Sequence, residues 1–231
     1  MRQFPPARIV CLTEETVETL YLLGEEHRIV GVSGYAVRPA RVRREKPRVS
    51  AFTSANVPKI LALDPDLVLT FSDLQASIAA ELIRAGVAVH AFNQRDVAGI
   101  LAMIRTLGAL VGAGDKAERL VRSYEARLAD VAASSRRRAR QRVYFEEWDD
   151  PLISGIGWVS ELIEIAGGDD VFARLSLERA NLRRSGSSRP RQSSQQRPMS
   201  CSPRGAARKS LAIRSAAGPV GMLSQRCETA A

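Results

Sequence analysis

The side chains of this chain that could do chemistry are a few aromatic rings, clustered carboxylates, two histidines and three cysteines, and their spacing decides among the options. Only 12 of the 231 residues are aromatic, yet Tyr35, Phe52, Trp148 and Trp158 each stand next to a β-rich or acidic run. Rings so placed offer flat apolar surface to a ligand; the competing role is loop or core packing. The run Glu146-Glu147-Trp148-Asp149-Asp150 is the most unusual local feature. Alternation along a strand would put Glu146 and Trp148 on one face and Glu147 on the other. A carboxylate at a strand end can accept hydrogen bonds from ligand amides or hydroxyls, or pair with a partner's arginine, against the plainer role of a solvated loop.

Catalysis and metal binding find little support. His27 and His90 stand apart at a helix–strand boundary and within a strand, where structural or surface roles are expected. No HExxH, GxSxG or Cys–His pairing occurs. Cys11, Cys201 and Cys227 are odd in number and widely spaced, with no CxxC pair for zinc or redox chemistry. Glu14 and Glu15 open the first predicted helix without a Gly-rich loop, which argues against a phosphate there. The sequence is therefore not expected to encode an enzyme, and no cofactor is expected.

These residues need a scaffold, and the chain supplies alternating strand and helix patterns. Strands are predicted over 8–12, 28–32, 49–52, 67–71 and 87–92, with helices from Thr13, over 57–63 and over 74–85. Ile60, Leu61 and Leu63 are expected to face the core, with Pro58 tolerated in the first turn. A long basic loop runs through Arg38, Arg41, Arg43, Arg44 and Lys46. Short connections between strands and helices mark a parallel α/β sheet, whose ligand crevice lies beyond the carboxyl ends of its strands. That directs attention to Thr13–Glu15, Tyr35, Phe52, Ser72-Asp73, Asn93-Gln94 and 146–149. Two long helices, over 96–111 and 115–141, then follow one another without an intervening strand and read as a connector. A strand over 143–148, a turn at Asp149-Asp150-Pro151 and a helix over 158–166 resume the pattern. The resulting organisation is a first α/β lobe at 1–95, a helical connector at 96–141 and the start of a second α/β lobe at 142–173. A basic tail at 174–231 completes it.

Several of these segments resemble the substrate-binding proteins of ABC importers for cobalamin and iron-siderophores. They are Arg8-Ile-Val-Cys-Leu-Thr13, Glu18-Thr-Leu-Tyr-Leu-Leu-Gly24, Arg28-Ile-Val-Gly-Val-Ser-Gly-Tyr35, Ile60-Leu-Ala-Leu-Asp-Pro-Asp-Leu-Val68, Val143-Tyr-Phe-Glu-Glu-Trp148 and Trp158-Val-Ser-Glu-Leu-Ile-Glu-Ile-Ala-Gly-Gly168. The Ile60–Val68 segment is the most specific of them. The resemblance covers about residues 7–173 and implies an α/β fold of two Rossmann-like lobes joined by a long helix, the second lobe incomplete. It further implies non-catalytic capture of a corrin or siderophore between the lobes by a monomer, with an ABC importer permease as partner. Tyr35, Phe52, Glu146, Trp148 and Trp158 would contact the ligand. Where the family places a glutamate that grips permease arginines, this chain reads Asn56-Val57-Pro58-Lys59.

The opening Met-Arg-Gln-Phe-Pro-Pro leads into too short an apolar run for a secretion signal. As written the chain is expected in the cytoplasm, and in the periplasm if its N-terminus is misassigned. The formal charge of +9 is localised. Residues 174–231 hold 11 Arg and 1 Lys against 2 Glu, so residues 1–173 carry a net −1. Three explanations of this tail compete: a disordered basic segment that binds nucleic acid or membrane phosphates, a divergent ending of the second lobe, and a frameshift near 173–180. The last accounts for the abrupt end of the resemblance at Phe172. The alternative function is then that of a cytoplasmic nucleic-acid-associated protein using the tail, although the near-neutral body makes nucleic acid an unexpected partner.

Overall fold

Short apolar runs that alternate between two buried faces build the first sheet. The computed structural model describes residues 4–149, 152–175 and 211–214. Strands β1 (Ile9–Cys11), β2 (Ile29–Ser33), β3 (Arg48–Ser50), β4 (Leu67–Phe71) and β5 (Ala88–Phe92) form a parallel sheet in the order β3-β2-β1-β4-β5. Helices α1 (Glu14–Leu22), α2 (Val42–Glu45), α3 (Val57–Leu61) and α4 (Ala76–Arg84) connect them. The two-residue strand repeat sorts the core. Ile9, Cys11, Leu67 and Leu69 face Val17 and Leu20 of α1, whereas Val10, Leu12 and Val68 face Ile60 of α3 with Ile78 and Leu82 of α4. Because α1 and α4 cover opposite faces, the connections leaving β1 and β4 diverge, and their carboxyl ends flank the switch point of the sheet.

Two details differ from the sequence reading. Leu61 is 37% exposed while Ile60 is buried, because consecutive helical residues point about 100° apart and only one can face the sheet. The basic loop after β2 contains the short helix α2, anchored by buried Val42.

Helix α5 (Val97–Leu110) starts on Asp96, whose side chain accepts from the Gly99 amide. It buries Met103, Ile104 and Leu107 in the core that also holds α1, as do Ala117 and Val121 of α6 (Gly114–Ser135). The helices reverse at Gly112, which adopts φ +72°. They cross so closely that a Cβ added to Gly108 would overlap that of Ala117. Gly108→Val should therefore cost about 1–3 kcal/mol, read as a lower midpoint in urea with an unchanged slope; an unaltered midpoint would show that the crossing can open freely.

Cys11 is fully buried, and burial pushes its thiol up to about 12. In mass-mapped labelling Cys11 should resist iodoacetamide in the native protein and react after unfolding. Modification at the native rate of a free thiol would contradict its place in the core.

The chain divides into two compact units, Met1–Asp130 and Val131–Ala231. In the second, β6 (Gln141–Asp149) pairs antiparallel with β7 (Leu152–Ser154) and parallel with both β8 (Gly168–Asp170) and β9 (Leu211–Arg214). Helix α7 (Gly157–Ile165) packs beside β8. The expected helix to residue 141 ends at Ser135, where the Ser134 and Ser135 hydroxyls donate back to the Val131 and Ala132 carbonyls. Arg140 is held in the following segment by bonds to Asp169 and to the Gly168 carbonyl. Asp149 belongs to β6 rather than to a turn, and Asp150 and Pro151 lie outside the described residues. So does most of the basic tail.

Candidate functional site

At the carboxyl edge of the first sheet, polar side chains are buried in a concentration found nowhere else among the described residues. Thr13 ends the run after β1 in extended conformation and caps α1 without a side-chain bond to its amides. Thr13, Glu14, Glu15 and Thr16 are all buried. Acidic residues suit the positive end of a helix, yet burying two of them side by side requires partners. Glu14 Oε1 accepts from Ser33 Oγ at 3.2 Å, and Ser33 Oγ in turn accepts from the Tyr35 amide at 3.2 Å. Glu15 Oε1 accepts from Gln94 Nε2 at 3.2 Å. Among the described residues, Glu14 Oε2 and Gln94 Oε1 are buried with no hydrogen-bond partner. Burial, reinforced by the neighbouring Glu15 charge, pushes the Glu14 carboxyl up to about 7, and burial raises Glu15 as well.

Gln75 ties the other strand ends together. It is 1% exposed. Its Oε1 accepts from the Phe71 amide at 3.0 Å, and its Nε2 donates to the carbonyls of Leu12 at 3.2 Å and Phe52 at 2.8 Å. One amide thereby fixes the ends of β1 and β4 and the bend after β3. Just before it Ser72 holds φ +52°, a strained conformation for a residue with a side chain, and its Oγ accepts from the Leu74 amide. Arg95 lies over the Phe71 ring at 5.3 Å and 3.8 Å from Asp73.

The predicted site residues fall into place as follows. Tyr35, 48% exposed, and partly buried Phe52 follow adjacent strands, whose ends are joined where the Gly34 amide donates to the Ser50 carbonyl at 2.7 Å. Glu146, in the second unit, is partly buried and accepts from Tyr144 Oη at 3.2 Å; the Tyr144 ring meets Phe172 edge-on at 5.5 Å. Trp148 pairs with Ile153 in the backbone ladder, and its side chain lies outside the described residues. The pairing slips by one residue between Glu146 and Trp148, so a bulge interrupts the alternation expected to put both on one face. Trp158 is partly buried in the first turn of α7. A cavity of about 590 Å³ at the other end of α7, lined by Ser135, Arg136, Arg138, Glu161 and Glu164 among others, includes none of these residues. Ser33, Gln75 and the burial of Glu14 and Glu15 are what sequence reasoning missed.

His27 is largely exposed beside Glu25. His90 packs on Phe92 at 4.4 Å, and burial lowers it below the ordinary imidazole range. Among the described residues no three His, Cys, Asp or Glu side chains are grouped to hold a metal ion, and no helix is long and apolar enough to cross a membrane.

A parallel sheet in the order β3-β2-β1-β4-β5, followed by a second compact unit, is the frame set against known proteins. The periplasmic binding protein family model matches residues 9–189. The chain belongs to that family. A cobalamin-binding protein of Halobacterium salinarum is 29% identical over 175 residues, covering 73% of this chain and 47% of the relative. The chain thus spans about half the length of that relative. The solved periplasmic vitamin B12-binding protein of Vibrio cholerae superposes with a TM-score of 0.65 at 25% identity, over 74% of this chain and 68% of that one. A periplasmic heme-binding protein of Roseiflexus shares the fold, with a TM-score of 0.66 at 24% identity over 73% of this chain and 66% of its own. As a member of the periplasmic binding protein family, the chain has an α/β fold with a parallel sheet, as the residue pattern predicts.

Proposed function

We propose that this protein captures a solute for an ABC importer without transforming it, the solute being a corrinoid such as cobalamin or, second to it, a ferric siderophore. The observation that carries this reading is Tyr35, a large ring left 48% exposed at the carboxyl edge of a parallel sheet beside buried hydrogen-bonding groups. It is the combination of flat apolar surface and few polar groups that a macrocycle requires. Relatives named for cobalamin and vitamin B12 binding support the corrinoid choice. Phe52 would extend the apolar surface. Glu146, Trp148 and Trp158 are further candidate ligand contacts. The monomer would dock on a permease by contacts other than a glutamate near residue 56: there Asn56 caps α3 by accepting from the Lys59 amide, and Lys59 Nζ donates to the Arg48 carbonyl.

Titration with cyanocobalamin, followed by quenching of Trp148 and Trp158 fluorescence and by equilibrium dialysis, tests the reading. Saturable binding that survives high salt is the expected result. The basic tail enters the same test. Binding of duplex DNA that falls steeply with salt, with no response to cobalamin or a ferric siderophore, would instead favour a nucleic-acid role. We further infer a frameshift near residues 173–180, shortly before the family match ends at residue 189, that weakens capture. Translation of the other two frames beyond codon 172 should restore strand and helix patterns in one of them.

A further inference from the structure

We propose that Glu14, Glu15 and Gln94 form an acceptor floor at the carboxyl edge of the first sheet that selects ligands presenting neutral N–H donors, primary amides above all, over ligands presenting carboxylates. This inference rests on the solute-capture reading and adds the chemistry that the site prefers.

The floor consists of oxygens. Ser33 donates to Glu14 Oε1 and Gln94 to Glu15 Oε1; each carboxyl also meets its own amide, and Glu15 the Thr13 hydroxyl. Glu14 Oε2 and Gln94 Oε1 receive none among the described residues, although Glu14 is only 9% exposed. A buried carboxylate oxygen without a donor is costly, and an N–H arriving from a ligand relieves that cost.

The chain's own cations leave the floor to the ligand. Neither Glu14 nor Glu15 takes part in an ion pair among the described residues. Two of the basic groups that follow β2 are engaged elsewhere: Arg41 with Glu26 and Glu45, and Lys46 with the carbonyls of Glu26 and Ile29. The start of α1 would otherwise draw an anion, but it is already answered by these two carboxylates.

The location completes the argument. Ser33 Oγ links Glu14 directly to the backbone of Tyr35, so a ring stacked on Tyr35 would carry its edge substituents toward the floor. A corrin edge bears primary amides that can donate there. A heme or ferric citrate presents carboxylates, which meet like charge and no donor.

The test uses the full chain and two corrinoids that share one ring: dicyanocobinamide, which carries amides at the periphery, and dicyanocobyrinic acid, which carries carboxylates at those positions. Affinities are measured by equilibrium dialysis at pH 8. The wild type should prefer the amide form by at least tenfold. Glu14→Gln and Glu15→Gln, singly and together, should each shrink that ratio, with circular dichroism confirming the fold. Equal affinities in the wild type, or a ratio untouched in all three variants, would overturn the acceptor floor while leaving solute capture standing. Binding of neither corrinoid would overturn it too, and a ferric-siderophore titration then decides the capture reading separately.

Discussion

Replacing Gln75 by leucine should lower the melting temperature of the first unit by roughly 10 °C, the equivalent of about 3 kcal/mol for a unit of this size. Leucine matches the volume of glutamine closely, so packing changes little and the loss is polar. The Phe71 amide and the carbonyls of Leu12 and Phe52 all lose their bond to Gln75. Gln75 itself is 1% exposed, which leaves water little room to replace it. Each buried backbone group deprived of a partner costs about 1–3 kcal/mol, and relaxation at the sheet edge together with the apolar gain of leucine offsets part of the sum. The same change releases the bend that carries Phe52, so on the proposed solute-capture reading ligand affinity should fall with stability. Circular dichroism melts check the first effect, and a shift of less than about 2 °C would mean that the three strand ends hold their positions without Gln75.

Gln75 also shows where sequence reading stops. Strand β4 was legible because Leu67–Phe71 is a continuous apolar run between turn residues, and the two faces of β1 and β4 follow from a repeat of two. The positions of Tyr35 and Phe52 were legible for the same reason, since each simply follows a strand. Gln75 was not, because its bond to Leu12 spans 63 residues and nothing local distinguishes it from a solvated glutamine. Glu14 and Glu15 were legible as first-turn carboxylates at the crevice edge, but their burial was not. Ser33 and Gln94, 19 and 79 residues further on, are what make them interior groups. In the second unit the bulge between Glu146 and Trp148 depends on the register with β7, which a strand pattern alone cannot specify.

Glu14→Gln should stabilise the protein at pH 8 by about 3 kcal/mol and leave it nearly unchanged at pH 4. The sign follows from linkage. The Glu14 carboxyl titrates at about 7 in the folded chain against 4.5 for an ordinary glutamate, so between those values the folded state holds a proton that the unfolded state has lost. Stability is then greatest below pH 4.5 and declines as pH rises through 7. Glutamine removes that decline because it never ionises. The groups that set the shift are few: burial first, the Glu14 amide, the Glu15 charge from the same turn, and Ser33 from β2. Glu15 is itself raised by burial and bonded to Gln94, so more of the decline with pH should be removed in the double variant than in the single. Urea midpoints at pH 4, 6 and 8 measure it, and parallel curves for wild type and variant would refute the buried-carboxyl account. A carboxyl kept only for structure should not weaken the fold at neutral pH when glutamine would fit the same space. If Glu14→Gln raises the midpoint at pH 8 while reducing the preference for amide-bearing ligands, the destabilising charge is retained for what it binds.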